Sequence, residues 1–159
     1  MEVIVNAVVE DQQFSTFVVL LKEKNGERTL PIWIGENEAM AIALSLEGIK
    51  PQRPLTHDLL NRVIEAFQAK VVRIGIVDLK EETYFAKIFI ESDGKLFAID
   101  ARPSDSIALA MRARCSILVN DEIMERNGVV LQGDKIVEEL RRRLRNTKPE
   151  KFGDFNLTP

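Results

Sequence analysis

The sequence is poor in residues on which several large protein classes depend. Its 159 residues include one cysteine, one histidine, one tryptophan and one tyrosine. The single thiol, Cys115, cannot form the paired disulfides of a small secreted domain, and it suits a reducing compartment. Paired metal-binding cysteines, a glycine-rich phosphate loop and a nucleophile-elbow serine are also missing. We therefore expect neither a zinc module nor a phosphate-loop nucleotidase.

Long apolar runs and an excess of basic charge are missing too. No stretch of 18 apolar residues occurs, and Met1-Glu2-Val3 lacks the basic start of a signal peptide. We expect a soluble cytoplasmic protein with no membrane partner. The 22 basic residues are outnumbered by 25 acidic ones, which gives a net charge of -3. Proteins that hold nucleic acid are usually basic overall or on one face. A nucleic-acid partner would therefore need local arginines or bound cations.

What is present predicts one α/β domain (α+β mixed) over residues 1–145, followed by a loosely held tail over residues 146–159. We expect a largely antiparallel, mixed sheet with two hairpin–strand–helix units and packed apolar helices. Strands are predicted at Val3–Val9, Phe17–Leu21, Thr29–Ile34, Val71–Leu79, Tyr84–Glu91, Leu96–Asp100 and Ile117–Val119. Helices are predicted at Glu36–Leu46, His57–Ala69 (capped by Thr56), about Ser104–Arg114, after Asn120 or Asp121, and at Asp134–Arg145. The second of these helices has one apolar stripe at helical spacing, formed by Leu59, Leu60, Val63, Ile64 and Phe67.

A hairpin, a strand and an apolar helix occur twice. The turns are Asn25-Gly26 and Asp93-Gly94, and Ile42-Ala43-Leu44 in the first helix matches Ile107-Ala108-Leu109 in the second. An ancestral duplication is a hypothesis that this pattern raises. Ligands in α/β domains gather where strands end and helices begin. The two strand-to-helix junctions, at residues 34–36 and 100–102, are therefore where we expect a site.

Three polar clusters carry unusual chemistry, and each also has an ordinary interpretation. They are Gly35–Glu38, Arg53–Asp58 and Asp100–Asp105. Acids in a first helical turn stabilise the helix by about 0.3–1 kcal/mol without any function. Small polar residues and proline are common at helix starts. The lone histidine, His57, is by frequency more often a surface residue than a base. The third cluster is unusually dense for a helix cap.

The three clusters together resemble the bifunctional nuclease domain family, some of whose members are described as cleaving DNA and RNA. The matching stretches are residues 30–39 (LPIWIGENEA), 53–59 (RPLTHDL) and 100–110 (DARPSDSIALA), within a similarity that runs from about Val3 to Gly128. The resemblance implies an α/β domain that pairs as a homodimer and acts as a nuclease on DNA and/or RNA.

A mechanism follows as a hypothesis from the residue types. One or two Mg²⁺ or Mn²⁺ ions can neutralise a phosphate and activate water, and such ions take carboxylate ligands. An imidazole can accept a proton near neutral pH, and an arginine can hold a phosphate through two hydrogen bonds. The expected catalytic residues are His57, Asp58, Asp100 and Asp105; the metal ligands are Glu38, Asp58, Asp100 and Asp105; the substrate-binding residues are Arg53, Arg102 and Ser104.

Two alternatives stay open. The first is a non-catalytic binding or regulatory homodimer, in which the polar clusters cap helices and fix the subunit contact. The second is a small-molecule sensor that uses the same pocket. Carboxylates that lie far apart, or that are held by arginine partners, would favour these alternatives over a metal site.

Overall fold

The computed structural model describes residues 1–11 and 16–130. The strands are β1 (Glu2–Asp11), β2 (Thr16–Glu23), β3 (Arg28–Ile34), β4 (Lys70–Lys80), β5 (Thr83–Ser92), β6 (Lys95–Ala101), β7 (Ser116–Val119) and β8 (Val129–Val130). The helices are α1 (Glu36–Leu46), α2 (Thr56–Ala66), α3 (Pro103–Ala113) and α4 (Asp121–Asn127). The predicted α/β fold is confirmed. The predicted helix Asp134–Arg145 and the tail over residues 146–159 lie outside the described residues.

One mixed sheet is built from two similar halves. Its strand order is β6-β5-β4-β7-β1-β2-β3-β8. The antiparallel meander β1-β2-β3 leads into α1, and the antiparallel meander β4-β5-β6 leads into α3. Strand β7 joins the halves, since it pairs parallel to β4 and antiparallel to β1. The repeated hairpin–strand–helix unit predicted from the sequence is therefore present in the fold.

Helices α1 and α3 form the centre of the layer that covers the sheet. Ala39 and Ile42 of α1 and Ile107 and Leu109 of α3 are buried in the main core with Ile74 of β4. The two helices also pack against each other. Burial against the sheet and against a neighbouring helix explains why both sequences are apolar on nearly every face.

Helix α2 differs from its prediction in two respects. Leu55, not Thr56, is the residue that precedes the first helical turn. The apolar stripe predicted for α2 is largely exposed: Leu59, Leu60 and Val63 are all exposed, and Phe67 just beyond the helix is 78% exposed. Helix α2 contacts α3 and β4, but these contacts bury none of its own residues. Most of its apolar side chains therefore remain exposed.

None of the helices in the described part of the chain is both long enough and apolar enough to span a bilayer.

Candidate active site

Helices α1 and α3 begin in equivalent ways, and their first turns carry matching acids. Gly35 and Arg102 precede the helices with extended backbone, at φ −75° and φ −68°. Glu38 and Asp105 each occupy the third position of their helix. When the two repeats are aligned by their helix starts, their offset is therefore two residues larger than when Ile42 is aligned with Ile107. Both carboxylates lie in a first turn, where the helix dipole favours negative charge.

Arg102 joins the two helix starts. Its Nε donates to Oδ2 of Asp105 at 2.7 Å, and its Nη2 donates to Oε1 of Glu38 at 2.8 Å. The Arg102 side chain is nevertheless 65% exposed. A guanidinium carries five N–H donors, so these two bonds leave others that a solvent anion can reach. The two junctions predicted from the sequence thus meet in space, and they meet through Arg102.

The only histidine joins the same cluster from the start of α2. His57 Nε2 lies 3.0 Å from Oδ1 of Asp105, and the imidazole is 13% exposed. Because a carboxylate can only accept, a neutral imidazole in this pair carries its proton on Nε2. That assignment follows from the hydrogen-bond pattern. It leaves Nδ1 without a proton and able to accept one.

Asp105 is the centre of the cluster, since His57 and Arg102 bind its two oxygens. Partial burial acts to raise the pKa of Asp105, but the hydrogen bonds and charges of Arg102 and His57 outweigh it and lower that pKa. Asp105 therefore stays ionised at neutral pH. An ionised carboxylate stabilises a neighbouring imidazole when the imidazole takes up a proton.

Gly35 makes room for the Glu38 carboxylate. A Cβ built at position 35 would overlap the Glu38 side chain. The backbone conformation at Gly35 is open to any residue, so the space, and not the φ angle, favours glycine here.

Asp58 is not bound to Asp105 or Arg102 but to Arg112. Its Oδ1 accepts from Nε of Arg112 at 2.6 Å, and its Oδ2 accepts from the Leu55 backbone N–H at 2.9 Å. Partial burial acts to raise the pKa of Asp58, yet the Leu55 N–H and the Arg112 guanidinium lower it. Sequence analysis missed Arg112, because a basic residue in the last turn of a helix is ordinary. Its position in the otherwise apolar second half of α3 was the available signal.

Three other predicted site residues are not part of the cluster. Asp100 pairs with Lys87 across β5 and β6, and it lies on the sheet face opposite Ala101, which packs against the core. Side chains alternate along a strand, so Asp100 points away from the helix layer. Arg53 is exposed in the connection before α2. Ser104 is only 7% exposed in the first turn of α3, which disfavours direct contact with a substrate.

The predicted metal-ligand set is not assembled. Among residues 1–11 and 16–130, no three His, Cys, Asp or Glu side chains group in a way that could hold a metal ion. Glu38 and Asp105 share Arg102, and Asp58 pairs with Arg112. The expected convergence of Glu38, Asp58, Asp100 and Asp105 on one ion is therefore absent from this arrangement. Metal dependence itself stays a prediction.

Comparison with known proteins bears on the identity of the chain. The family described as "Bifunctional nuclease domain" matches residues 19–132. An uncharacterized protein of Mycobacterium tuberculosis is 40% identical over 154 residues, which cover 97% of this chain and 92% of that protein. Bifunctional nuclease 1 of Arabidopsis thaliana is 25% identical over 123 residues, which cover 75% of this chain. Bifunctional nuclease 1 of Oryza sativa subsp. indica is 25% identical over 115 residues, which cover 70%.

The plant relatives are much longer than the matched region, which covers 38% of the Arabidopsis protein and 35% of the rice protein. The family match nevertheless includes Glu38, His57, Arg102 and Asp105. The chain belongs to the bifunctional nuclease domain family.

Proposed function

We propose that the protein is a nuclease that hydrolyses phosphodiester bonds of DNA and/or RNA. The observation that carries the proposal is the pair of contacts to Asp105, which places an imidazole and an exposed guanidinium on one carboxylate. Family membership and the names of the plant relatives support the same activity. A phosphodiester hydrolase needs both a proton acceptor for water and a positive group for the phosphate.

In the proposed reaction, Arg102 binds a non-bridging phosphate oxygen through its exposed N–H groups. His57 accepts a proton from water at Nδ1 while the water oxygen forms a bond to phosphorus. The ester P–O bond then breaks, and the departing oxygen takes a proton from the imidazolium or from solvent. Asp105 holds the imidazole through Nε2 and stabilises its protonated form. Glu38 orients Arg102.

The proposal that Mg²⁺ or Mn²⁺ assists cleavage is separate from this scheme. Glu38 and Asp105 are both paired with Arg102 and do not form a group of metal ligands. No step above therefore uses a metal. A divalent cation would supply charge neutralisation that an acidic chain otherwise obtains only from arginines.

Asp58 and Asp100 have no role in the proposed reaction, and Arg53 is proposed only as an outer phosphate contact. Cytoplasmic location, which the single thiol favours, is likewise a proposal.

We also propose that the protein acts as a homodimer. The exposed apolar side chains of Leu59, Leu60 and Val63 on α2, together with Phe67, support a second copy as the partner. Exposed apolar patches of this kind commonly mark protein contacts.

The arginine pairs also favour a second candidate, the non-catalytic regulatory dimer. Glu38, Asp58 and Asp105 each bind an arginine, as structural ion pairs do. In that case the cluster would fix the helix starts. Loss of one partner would change the stability of the protein, and the parent itself would not hydrolyse nucleic acid.

The test is cleavage of labelled single-stranded DNA and RNA by the full chain, with and without EDTA. His57→Gln should lower the rate by about 10²–10⁴-fold, the usual contribution of a general base. Arg126→Gln, a charge removal at an exposed position on α4, should leave the rate unchanged. EDTA tests the metal proposal alone. Equal rates for His57→Gln and the parent would reject the proposed base, and no cleavage by the parent would favour the regulatory dimer.

A further inference from the structure

Arg112 is the most buried cation of the site region, and it touches three helices. Its side chain is 9% exposed. Its Nη1 donates to the backbone carbonyls of Ala41 in α1, at 3.1 Å, and Ala108 in α3, at 2.9 Å. Its Nε donates to Asp58 in α2 at 2.6 Å. One guanidinium therefore links the helix that carries Glu38, the helix that carries Asp105 and the helix that carries His57.

The link to α2 matters because apolar packing holds this helix only weakly. Helix α2 has no buried residue, and Ile64 alone of its apolar side chains packs partly against the core. Asp58, in contrast, receives a charged hydrogen bond from Arg112 and a backbone bond from Leu55. A partly buried, charge-assisted bond of this kind is stronger and more directional than a partly exposed apolar contact. The start of α2 is thus fixed by the polar contacts of Asp58, beside the His57–Asp105 bond itself.

His57 precedes Asp58 in the same helical turn. A shift of this turn that separates Asp58 from Arg112 therefore also moves the His57 backbone relative to α3. The bond from His57 to Asp105 spans only 3.0 Å, so a displacement of about 1 Å at the start of α2 breaks it.

We infer that Arg112 is a positioning residue for His57: by binding Asp58 and the carbonyls of α1 and α3, it sets the imidazole against Asp105. Its effect on cleavage rests on the proposed function, but its effect on the imidazole does not. Arg112 contacts none of His57, Asp105 or Arg102 through any bond described above, so it acts through the placement of α2.

The experiment uses the fact that the chain has one histidine. Nitrogen-15 NMR of the imidazole in the 159-residue chain reports which ring nitrogen carries the proton. In the parent, we expect a protonated Nε2 and an unprotonated Nδ1. In Arg112→Gln, the two ring nitrogens should move toward averaged shifts, as they should in Asp105→Asn. Arg112→Lys, which keeps the charge but replaces the planar guanidinium with a single ammonium group, should give an intermediate spectrum.

Two controls separate positioning from general loss of structure. Arg126→Gln should retain the parent spectrum. Asp58→Asn removes the same ion pair from the other side, and it should shift the imidazole signals in the same direction as Arg112→Gln. If Arg112→Gln does not fold, Asp58→Asn and Arg112→Lys decide the question. Parent-like imidazole signals in folded Arg112 or Asp58 variants would overturn the inference.

Cleavage kinetics give a second readout where the parent is active. Arg112→Gln should lower kcat by about 10²-fold, as expected for a misplaced catalytic group, with KM changed less than threefold. A kcat equal to that of the parent would contradict the inference. A parent that cleaves nothing would reject the proposed function while leaving the NMR result to judge the positioning role.

Discussion

The Nε2 atom of His57 lies 3.0 Å from Oδ1 of Asp105, although the two residues are 48 positions apart in the chain. The contact joins the first turns of α2 and α3, which belong to different parts of the repeated fold. It brings the only imidazole in the sequence to a carboxylate that Arg102 also binds. The expectations below follow from this contact and from the ion pairs around it.

The two aspartates of the third polar cluster should differ in their effect on cleavage. Asp105→Ala removes the partner of both His57 and Arg102, so the rate should fall by about 10²-fold or more. Asp100→Ala changes a side chain on the opposite face of β6, so the rate should stay within about twofold of the parent. Steady-state cleavage of labelled single-stranded DNA measures both. Equal losses for the two variants would contradict the placement of Asp100 outside the site.

Gly35→Ala should displace the Glu38 carboxylate from Arg102. The added methyl group needs the space that this carboxylate fills, whereas the backbone tolerates alanine. A partly exposed ion pair contributes about 0.2–1 kcal/mol, so we expect KM to rise by a factor of about 1.4 to 5. Glu38→Gln should have a similar effect, and the double variant should be no worse than either single variant.

Glu36→Gln is the matched control for Glu38→Gln. Glu36 lies in the same first turn of α1 but is exposed, so the two substitutions remove the same favourable charge from the helix start. Only Glu38→Gln should affect KM. Additive effects of Gly35→Ala and Glu38→Gln would argue against displacement of the carboxylate.

The stability of the fold should fall in acid because of Asp58 and Asp105. Each folded-state pKa is lowered below the ordinary value of about 3.9 in an unfolded chain. The unfolded state therefore binds protons first, and the stabilisation is present above about pH 4 and is lost as the pH falls through the folded values. Urea unfolding at several pH values between 6 and 3 measures the free energy of unfolding.

Asp58→Asn should lower the free energy of unfolding at pH 6 by about 1–3 kcal/mol, because it leaves the largely buried Arg112 side chain without its charged partner. It should also flatten the acid decline. Asp93→Asn removes an exposed charge in the β5–β6 turn and should leave that decline unchanged. A decline of parent steepness in the double variant of Asp58 and Asp105 would assign the acid sensitivity to other groups.

The proposed dimer should depend on the exposed side of α2. Phe67→Ser and Leu60→Ser remove apolar area without touching the cluster around Asp105, so both should shift the mass measured by light scattering toward the monomer. Phe97→Ser, at an exposed apolar position on the edge strand β6, is the comparison. A monomeric parent, or a dimer that only the β6 variant weakens, would reject α2 as the contact.

Periodicity was sufficient for most of the fold, because turns such as Asn25-Gly26 and strand-to-helix junctions are local signals. It also identified the two strand-to-helix junctions that Arg102 joins. It did not reveal that the stripe of α2 is exposed, since an apolar stripe looks the same whether it faces a core or solvent. The alternation of side chains along β6 excludes Asp100 from the site. Asp100 lies one position before Ala101 and therefore points to the other face of the sheet.

The sequence could not show which arginines bind the carboxylates of the site. Arg102 was expected to bind substrate and Arg112 looks like an ordinary helix-end residue. Only the approach of α1, α2 and α3 shows which carboxylates they bind. The same approach separates Asp58 from Asp105, although both were expected on one ion. Pair geometry between distant segments depends on tertiary packing, which local pattern does not encode.

Chemical rescue of His57→Ala tests the central claim most directly. Cleavage of labelled single-stranded DNA should fall by about 10²-fold or more, and added imidazole should restore part of the lost rate in His57→Ala but not in the double variant with Asp105→Ala. A His57→Ala protein that cleaves at the parent rate, with or without imidazole, would contradict the assignment of this imidazole as the base.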